Sequence, residues 1–411
     1  MTLFQSFKKM FRNDEQGKKY NVILITLDAM RLDKISVCPE FAKLTQQGYF
    51  MNNMITAAPY TIGSMHSILS GLYPSTNGVN AYYNMFKFRK DRCKTLTEYF
   101  KEAGYYTVAD VVNKNIIPNQ GFEQVLVHDQ DKGNLLQRHT DIISKAAKKK
   151  NFFIYFQYSH IHNQLVDNIA KKYDDFSEDY FNNPQFNLER YEQYVKESNY
   201  YVKNIMEHIR SLGLDKNTIV VFHADHGSSM GAKKGEKMYG CFLYDYTIKI
   251  FCLFLTPTRQ TAKITLQTRT IDMMPTILEM VNIPVDAAFE PLQGKSLLPM
   301  FQGQEREERS AFCETGGLYG PWPSPEAHNV FCIRKENKKI IYNHATKKWE
   351  FYDLLADVQE NKNLVLVKGS KHKKEIEEYK LWLREEMERN GIGFEKEMKS
   401  AEKKTLDRVK S

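Results

Sequence analysis

The sequence predicts an α/β fold with a mainly parallel central sheet sandwiched by helices, and a small C-terminal α+β subdomain that contains an antiparallel sheet. Apolar runs such as 21–28 and 218–225 end in an acid, as buried parallel strands do when a functional residue follows them. Helical stretches alternate with these runs, which indicates crossovers between parallel strands. Beyond about residue 310 the runs become short and are joined by tight polar turns, which is typical of antiparallel strands.

The predicted elements follow in chain order. Strands are expected at 21–28, 106–112, 152–158, 218–225 and 248–256. Helices are expected at 40–48, 61–71, 95–103 and 186–212. The C-terminal part is expected to contain strands at 329–334, 338–343 and 348–353 and a charged helix at 372–390. Because parallel strands bring their carboxyl ends to one edge of a sheet, Asp28 and Asp225 are expected to meet there.

These elements divide the chain into four parts. A basic leader (1–19) precedes a large α/β domain (20–309), and a C-terminal α+β subdomain (310–392) precedes a charged tail (393–411). A length of 411 residues exceeds what one small core needs and fits this arrangement.

Charge and cysteine content limit the partners and the compartment. The formal net charge of +8 is concentrated near both ends, which indicates either solvated tails or attraction to an anionic partner. No nucleic-acid motif accompanies the charge, so no nucleic-acid partner is expected. Phe4, Phe7 and Phe11 belong either to a disordered or core-docked leader or to a short amphipathic helix in peripheral contact with a membrane. Six widely spaced cysteines and the lack of a signal-peptide or membrane-spanning pattern predict a cytoplasmic protein.

Four side chains are predicted to hold one divalent metal ion. Asp28, Asp225 and His226 supply two carboxylates and an imidazole, which suit such an ion. Thr61 adds an oxygen at the start of a helix, where free N–H groups and the helix dipole favour an anionic ester. A metal lowers the pKa of a bound hydroxyl, so Thr61 could act as a nucleophile and form a covalent intermediate.

Taken singly, these residues also suit a strand-end turn, a helix cap and a loop. Their joint occurrence at strand ends and at a helix start favours the metal site. A second metal would need another Asp/His/His set, which the sequence does not assemble.

Several motifs resemble those of the sulfatase and alkaline-phosphatase superfamily, in the same order over residues 20–365. They are Thr61 followed by Gly71-Leu72-Tyr73-Pro74, then Asp225-His226-Gly227, Leu243–Lys249, Thr270–Thr276, Gly294–Leu298 and Phe351–Leu354. The resemblance implies an enzyme, namely a metal-dependent ester hydrolase or phosphotransferase.

The departures from the family pattern bear on the substrate. Sulfatases carry Cys or Ser at the nucleophile position, within Cys/Ser-x-Pro-x-Arg, for oxidation to formylglycine, whereas this chain has Thr61-Ile62-Gly63-Ser64-Met65. Ala29 stands where an Asp is usual, and His226 stands where calcium-type sulfatases have Asn. The pattern resembles that of phosphodiesterases, phosphoethanolamine transferases and lipoteichoic acid synthases with a threonine nucleophile. It implies one divalent ion, with Mn or Zn preferred over Mg or Ca.

The resemblance therefore favours hydrolysis or transfer of an anionic phosphate monoester or diester through Thr61. One alternative is a sulfatase for an aryl or carbohydrate sulfate, and another is a non-catalytic family member that binds a glycan or a lipid head group. His160, His162 and Lys237 occupy positions where relatives contact substrate, with His162 the better aligned histidine. Each is otherwise a packed or surface side chain, and the oligomeric state is left open.

Overall fold

A computed structural model of the chain describes residues 19–129, 133–149, 151–174, 176–316 and 329–393. The predicted leader up to residue 18, including its amphipathic stretch, and the predicted tail from residue 394 lie outside the described residues. The strands are β1 (Asn21–Leu27), β2 (Tyr49–Ile55), β3 (Tyr106–Val111), β4 (Gln124–Val127), β5 (Phe152–Tyr158), β6 (Thr218–His223), β7 (Lys249–Leu255), β8 (Ala262–Ile264), β9 (Thr268–Arg269), β10 (Ala311–Thr315), β11 (Val330–Lys335), β12 (Lys338–Asn343) and β13 (Lys348–Asp353).

The α-helices vary in length from single turns to one long helix. They are α1 (Pro39–Leu44), α2 (Thr61–Ser70), α3 (Pro74–Asn77), α4 (Leu96–Glu102), α5 (Leu135–Ala146), α6 (His160–Leu165), α7 (Glu178–Phe181), α8 (Pro184–Ser211), α9 (Asp245–Ile248), α10 (Met273–Met280), α11 (Leu298–Phe301) and α12 (Lys373–Arg389). Within the part of the chain that the structure describes, no helix combines the length and the apolar character needed to cross a bilayer.

The large sheet confirms the predicted α/β fold. Its strand order is β4-β3-β5-β1-β6-β7-β2-β8, and β9 also pairs with β2. The strands from β4 to β6 are parallel, whereas β7 is antiparallel to both of its neighbours. Every residue of β1 is buried, because this central strand is paired on both edges and covered on both faces.

Two groups of helices pack on this sheet. The long helix α8 packs with α1, α5 and α6, and the wholly buried α2 packs with α3, α4 and α10. Gly213, which follows α8, has φ 66°, a conformation that costs glycine little and that ends the helix where the sequence predicts.

The C-terminal sheet is antiparallel, as predicted, with the order β10-β11-β12-β13. Helix α12 packs on β11 and β12, and Phe312, Phe351 and Leu383 share one buried cluster there. The division of the chain at residue 310 remains a prediction.

A buried ionic group joins the two sheets. The Lys339 ammonium on β12 lies 2.5 Å from Asp245 Oδ1 and 2.7 Å from Glu360 Oε1. Arg334 on β11 adds a second cation, 3.2 Å from Asp245 Oδ2. Because an unpaired buried charge is costly, this group fixes the C-terminal sheet against the segment that leads into β7.

Some predicted boundaries were wrong. The helix expected at 40–48 ends at Leu44, because the chain must turn before β2 begins at Tyr49. The strand expected from residue 248 begins at Lys249, since Ile248 closes the short helix α9. Five strands were not predicted, because they are short or lack an uninterrupted apolar pattern: β2, β4, β8, β9 and β10.

Candidate metal-dependent active site

Two acids meet at the carboxyl edge of the large sheet, as the sequence predicts. Asp28 follows β1 directly, and Asp225 follows the neighbouring strand β6 by two residues. The backbone N–H of Ala29 donates to Asp225 Oδ1 at 3.2 Å, and the N–H of His226 donates to the same oxygen at 3.0 Å. Ala29 has φ 60°, which is uncommon for a residue with a side chain. The backbone turn after Asp28 is therefore strained, and its N–H group holds the Asp225 carboxylate in place by a hydrogen bond.

His226 joins these acids through one ring nitrogen. Its Nδ1 lies 2.8 Å from the Gly227 carbonyl oxygen, and because that oxygen can only accept, Nδ1 carries the hydrogen. Nε2 is then a lone-pair donor, 3.7 Å from Asp28 Oδ1 and 3.5 Å from Asp225 Oδ2. The backbone contact thus fixes the tautomer that suits a metal ligand.

The residue after His226 has to be glycine. A Cβ atom at Gly227 would lie 2.1 Å from the backbone oxygen of Tyr246, well inside any tolerated contact. The imidazole itself packs against an aromatic ring: the Tyr239 ring lies 4.2 Å from the His226 ring, centroid to centroid. Close backbone packing and an aromatic contact together hold this ring in place.

Thr61 presents its hydroxyl to the same group. It is the first residue of α2, and its Oγ1 lies 3.2 Å from His226 Nε2. The first turn is packed against the chain before it, since a Cβ at Gly63 would lie 2.7 Å from the Ala58 side chain. The free N–H groups of this turn and the helix dipole favour an anion beside the Thr61 oxygen.

The donor set suits a divalent cation. Asp28, Asp225 and His226 are fully buried, and each offers one ligand atom within 4.8 Å of the others. Asp28 Oδ1 and Asp225 Oδ2 have no hydrogen-bond partner among the described residues. Burial raises the pKa of Asp28 to about 7, and the Asp225 carboxylate adds to the rise. Buried carboxylate oxygens without partners are costly, and a cation held between them removes that cost.

Two residues of the site were missed by the sequence analysis. Gln157, near the end of β5, donates from Nε2 to Asp28 Oδ2 at 2.5 Å and accepts from the Val112 N–H at 3.0 Å. A polar residue inside the apolar run 152–158 was the available signal. Tyr239, which packs on His226, lies in a loop without any recognisable pattern.

The structure places His162 beside the site. Its ring lies 6.1 Å from the Tyr239 ring that covers His226, and its Nδ1 is buried without a hydrogen-bond partner among the described residues. Burial lowers the pKa of His162, so the ring is neutral near pH 7.

The other two predicted substrate contacts lie elsewhere in this structure. His160 Nε2 lies 2.7 Å from Glu197 Oε2 on α8, because positions two apart on the short helix α6 face different sides. The structure therefore does not bring His160 to Asp28. Lys237 donates from Nζ to the Tyr173 carbonyl oxygen at 2.7 Å. Substrate contact by either residue remains a prediction.

This fold and donor set are similar to those of metal-dependent ester hydrolases. The family model for sulfatases matches residues 20–283, and the model for the C-terminal part of N-sulphoglucosamine sulphohydrolase matches residues 238–389. The chain belongs to the sulfatase family, within the sulfatase and alkaline-phosphatase superfamily, which is a family of hydrolases. Members of this family generally bind a divalent metal ion.

Relatives of the chain include a Delta 4,5-hexuronate-2-O-sulfatase from Bacteroides thetaiotaomicron, 24% identical over 212 residues, which are 48% of this chain and 42% of the relative. A solved structure of a protein in complex with its substrate D-glucosamine-2-N,6-O-disulfate has a TM-score of 0.69 at 16% identity, covering 91% of this chain and 98% of that one. The phosphonate monoester hydrolase of Agrobacterium radiobacter has a TM-score of 0.70 at 16% identity, covering 90% and 96%. At such identities the structural likeness concerns the fold.

The aligned stretches span 20% to 42% of the length of the curated relatives, which are named as sulfatases. The sulfatase alternative of the sequence analysis is therefore better supported than its preferred phosphate ester. The alternative of a non-catalytic binding protein has no counterpart among these relatives, which are named as sulfatases.

Proposed function

We propose that the chain hydrolyses a sulfate monoester, with a carbohydrate sulfate as the substrate class. One observation carries this proposal: the Thr61 oxygen lies 3.2 Å from His226 Nε2, beside two buried acids, in a chain whose relatives are named as sulfatases. A sulfated sugar carries the tetrahedral anion that the start of α2 favours.

Asp28, Asp225 and His226, with the Thr61 oxygen, would hold one divalent cation, for which we propose Mn or Zn. When bound, that cation lowers the pKa of a neighbouring hydroxyl and offsets negative charge on the ester oxygens. The N–H groups at the start of α2 donate to those oxygens and orient the sulfur towards Thr61 Oγ1.

The reaction then takes two displacements at sulfur. The Thr61 oxygen forms a bond to sulfur while the bond from sulfur to the sugar oxygen breaks, and the sugar leaves as an alcohol. Water next attacks the sulfur of the sulfothreonine, which releases sulfate and returns a proton to the Thr61 oxygen. The proton that the Thr61 hydroxyl loses passes to the departing sugar oxygen, and His162, a neutral ring beside the site, has the position to relay it.

A phosphate ester is the second candidate, and Thr61 itself favours it. An unmodified threonine has one hydroxyl, whereas a formylglycine hydrate has two, so release of the covalent intermediate depends on attack by water. Attack by water or by an acceptor alcohol suits a phosphothreonine, as in the threonine-nucleophile relatives that the sequence resembles. The fold of a phosphonate monoester hydrolase is also among those similar to this one.

Parallel assays separate the two candidates. The purified protein, loaded with Mn or Zn, is incubated with a chromogenic sulfate ester, a phosphomonoester, a phosphodiester and a set of sulfated monosaccharides. Ion chromatography then identifies the released anion. We expect sulfate release that Thr61→Ala abolishes and that the matched control Thr76→Ala, a substitution outside the site, leaves intact. Release of phosphate alone would transfer the assignment to the second candidate, and turnover that survives Thr61→Ala would rule out both.

A further inference from the structure

A second group of buried Asp and His side chains lies on the same edge of the sheet, away from Thr61. Asp110 is near the end of β3, His128 directly follows the neighbouring strand β4, and His139 lies on α5. Asp110 and His139 are fully buried and His128 is 4% exposed. Strand β5 separates this group from β1 and Asp28, so the two groups do not share ligands.

The spacing within this group matches a tetrahedral metal site. His128 Nδ1 lies 3.3 Å and His139 Nε2 lies 3.2 Å from Asp110 Oδ2. Ligands at about 2.0 Å from Zn²⁺ in a tetrahedron are separated by about 3.3 Å. Neither nitrogen makes a hydrogen bond within the described part of the chain, although an acceptor oxygen is this near. The three candidate ligand atoms all lie within 4.8 Å of one another.

The outward-facing nitrogens have partners of their own. His128 Nε2 lies 3.2 Å from the Ser159 hydroxyl, and His139 Nδ1 lies 2.7 Å from the Tyr201 hydroxyl. If each of these nitrogens donates its hydrogen to the hydroxyl, the inward nitrogens carry lone pairs. Such outer contacts fix the tautomer and the ring orientation of metal-ligating histidines. Two lone pairs and a carboxylate then face one another, an arrangement that a cation stabilises.

Arg138 competes for the same carboxylate. Its Nε lies 2.7 Å from Asp110 Oδ2 and its Nη2 lies 2.9 Å from Oδ1. The Arg138 side chain is 38% exposed, so solvent screens part of its charge.

A cleft of about 420 Å³ gives access to the group from solvent. His128 and Arg138 line it, together with the acids Asp129 and Asp141. Of the three candidate ligands only His128 lines this cleft, which leaves room there for a water molecule as a fourth ligand. Asp129 and Asp141 balance the charges of Arg138 and Lys145, which also line the cleft.

We propose that Asp110, His128 and His139 form a second divalent-cation site that binds Zn²⁺. The ion would tie the ends of β3 and β4 to α5, and through the Ser159 contact to the end of β5. We assign the ion a structural role, because it would join elements that are otherwise held by hydrogen bonds and packing. The site does not depend on the substrate of the Thr61 site.

Metal counting on the whole chain tests this site. The Asp225→Asn variant, which weakens the first site, is dialysed against Zn²⁺ or Co²⁺, and bound metal is measured by mass spectrometry. We expect about two ions in the native chain, one in Asp225→Asn and none when His128→Asn is added. The bound Co²⁺ of Asp225→Asn should show the intense visible absorption of a tetrahedral site. The control His208→Asn removes a histidine whose Nε2 contacts the Ser144 hydroxyl, and it should leave both ions bound.

A variant of the competing residue keeps the proposal falsifiable if the histidine variants fold poorly. Arg138→Gln removes the positive charge but no proposed ligand, so Zn²⁺ should bind at least about tenfold more tightly in the Asp225→Asn background. If Asp225→Asn binds no Zn²⁺ or Co²⁺ and Arg138→Gln does not change that, the group is a hydrogen-bonded structural cluster and the proposal is overturned. That result would leave the assignment of the Thr61 site untouched.

Discussion

Two groups of buried side chains offer the same donor types at the same edge of one sheet, but their surroundings differ. They are the Asp28 group (Asp28, Asp225 and His226) and the Asp110 group (Asp110, His128 and His139). Asp28 and Asp225 face an imidazole and the hydroxyl of Thr61, which lies at the start of a helix. Asp110 faces two imidazoles and the guanidinium of Arg138. Only the first group combines surplus negative charge with a nucleophile and with free N–H donors for an anionic ester. Ligand chemistry alone does not make a reaction centre; the groups around the ligands decide.

The largest expected effect comes from removing the nucleophile. Thr61→Ala should reduce kcat/KM by about 10⁴-fold or more, because the covalent step is lost while the metal ligands from Asp28, Asp225 and His226 remain. Thr61→Ser keeps an attacking oxygen and should retain part of the activity. Steady-state kinetics together with metal content measure both variants. If Thr61→Ala also lost its metal and its fold, the loss of activity could not be assigned to the missing nucleophile. The difference between the two groups would then need another explanation.

Removing a charge from the first group should have the next largest effect. Asp225→Asn keeps an oxygen that accepts from the Ala29 and His226 N–H groups, but it loses a negative ligand. Activity should fall by about 10³-fold at limiting metal and recover in part when metal is added. The readout is kcat/KM as a function of free metal concentration. Unchanged metal dependence would contradict the assignment of Asp225 as a ligand.

Glu314 is a buried carboxylate with no histidine beside it, and it sharpens the comparison. It accepts from the Ser75 N–H at 2.7 Å and contacts the Ser75 hydroxyl, and burial raises its pKa from 4.5 to about 7. Between pH 4.5 and 7 the folded state therefore holds a proton that the unfolded state has lost, so the free energy of unfolding falls as the pH rises. One such group contributes about 3 kcal/mol of this fall.

Denaturant unfolding at several pH values measures this contribution. In Glu314→Gln the part of the fall that belongs to residue 314 should disappear, while the stability at pH 4.5 changes little. If the free energy of unfolding changed with pH in the same way in both proteins, Glu314 would be ionised at pH 7. Burial would then not be enough to keep a carboxyl group protonated in this protein.

The smallest expected effect concerns the contact between Gln157 and Asp28. Gln157→Ala removes the donor to Asp28 Oδ2 and the acceptor of the Val112 N–H, without touching a ligand. Loss of an orienting partner typically costs 10- to 100-fold in metal affinity or activity, and we expect about tenfold here. Metal titration followed by activity measures it. A loss as large as that of Asp225→Asn would place Gln157 among the groups that hold the ion.

Much of the first group could be predicted because its signals are local. An acid directly after an apolar run marks the end of a buried strand, and parallel strands place such ends together whatever their separation in sequence. Asp28 and Asp225 follow from that rule, and the Thr61 segment adds a helix start. The resemblance favoured His162 over His160, but the geometric reason for that choice lies in α6, a helix that was not predicted.

The second group could not be predicted, because its members carry no local signal. Asp110 lies inside a strand pattern, His128 follows a strand that was missed, and His139 lies on a helix that was not assigned. They meet because α5 packs on β5, the strand beside β3 in the sheet. Strand β2 was missed for a related reason: two asparagines interrupt its apolar run, yet the strand is paired on both edges within the sheet.

Because Gly227 has no side chain and no room for one, it limits how this pocket can be redesigned. Its neighbour at 2.1 Å is a main-chain oxygen, so no exchange of the Tyr246 side chain would make room for a larger residue. A combinatorial library aimed at a new substrate should therefore vary His162 and Tyr239 and keep position 227 constant. Library members with another residue at position 227 would not form this turn and would not fold.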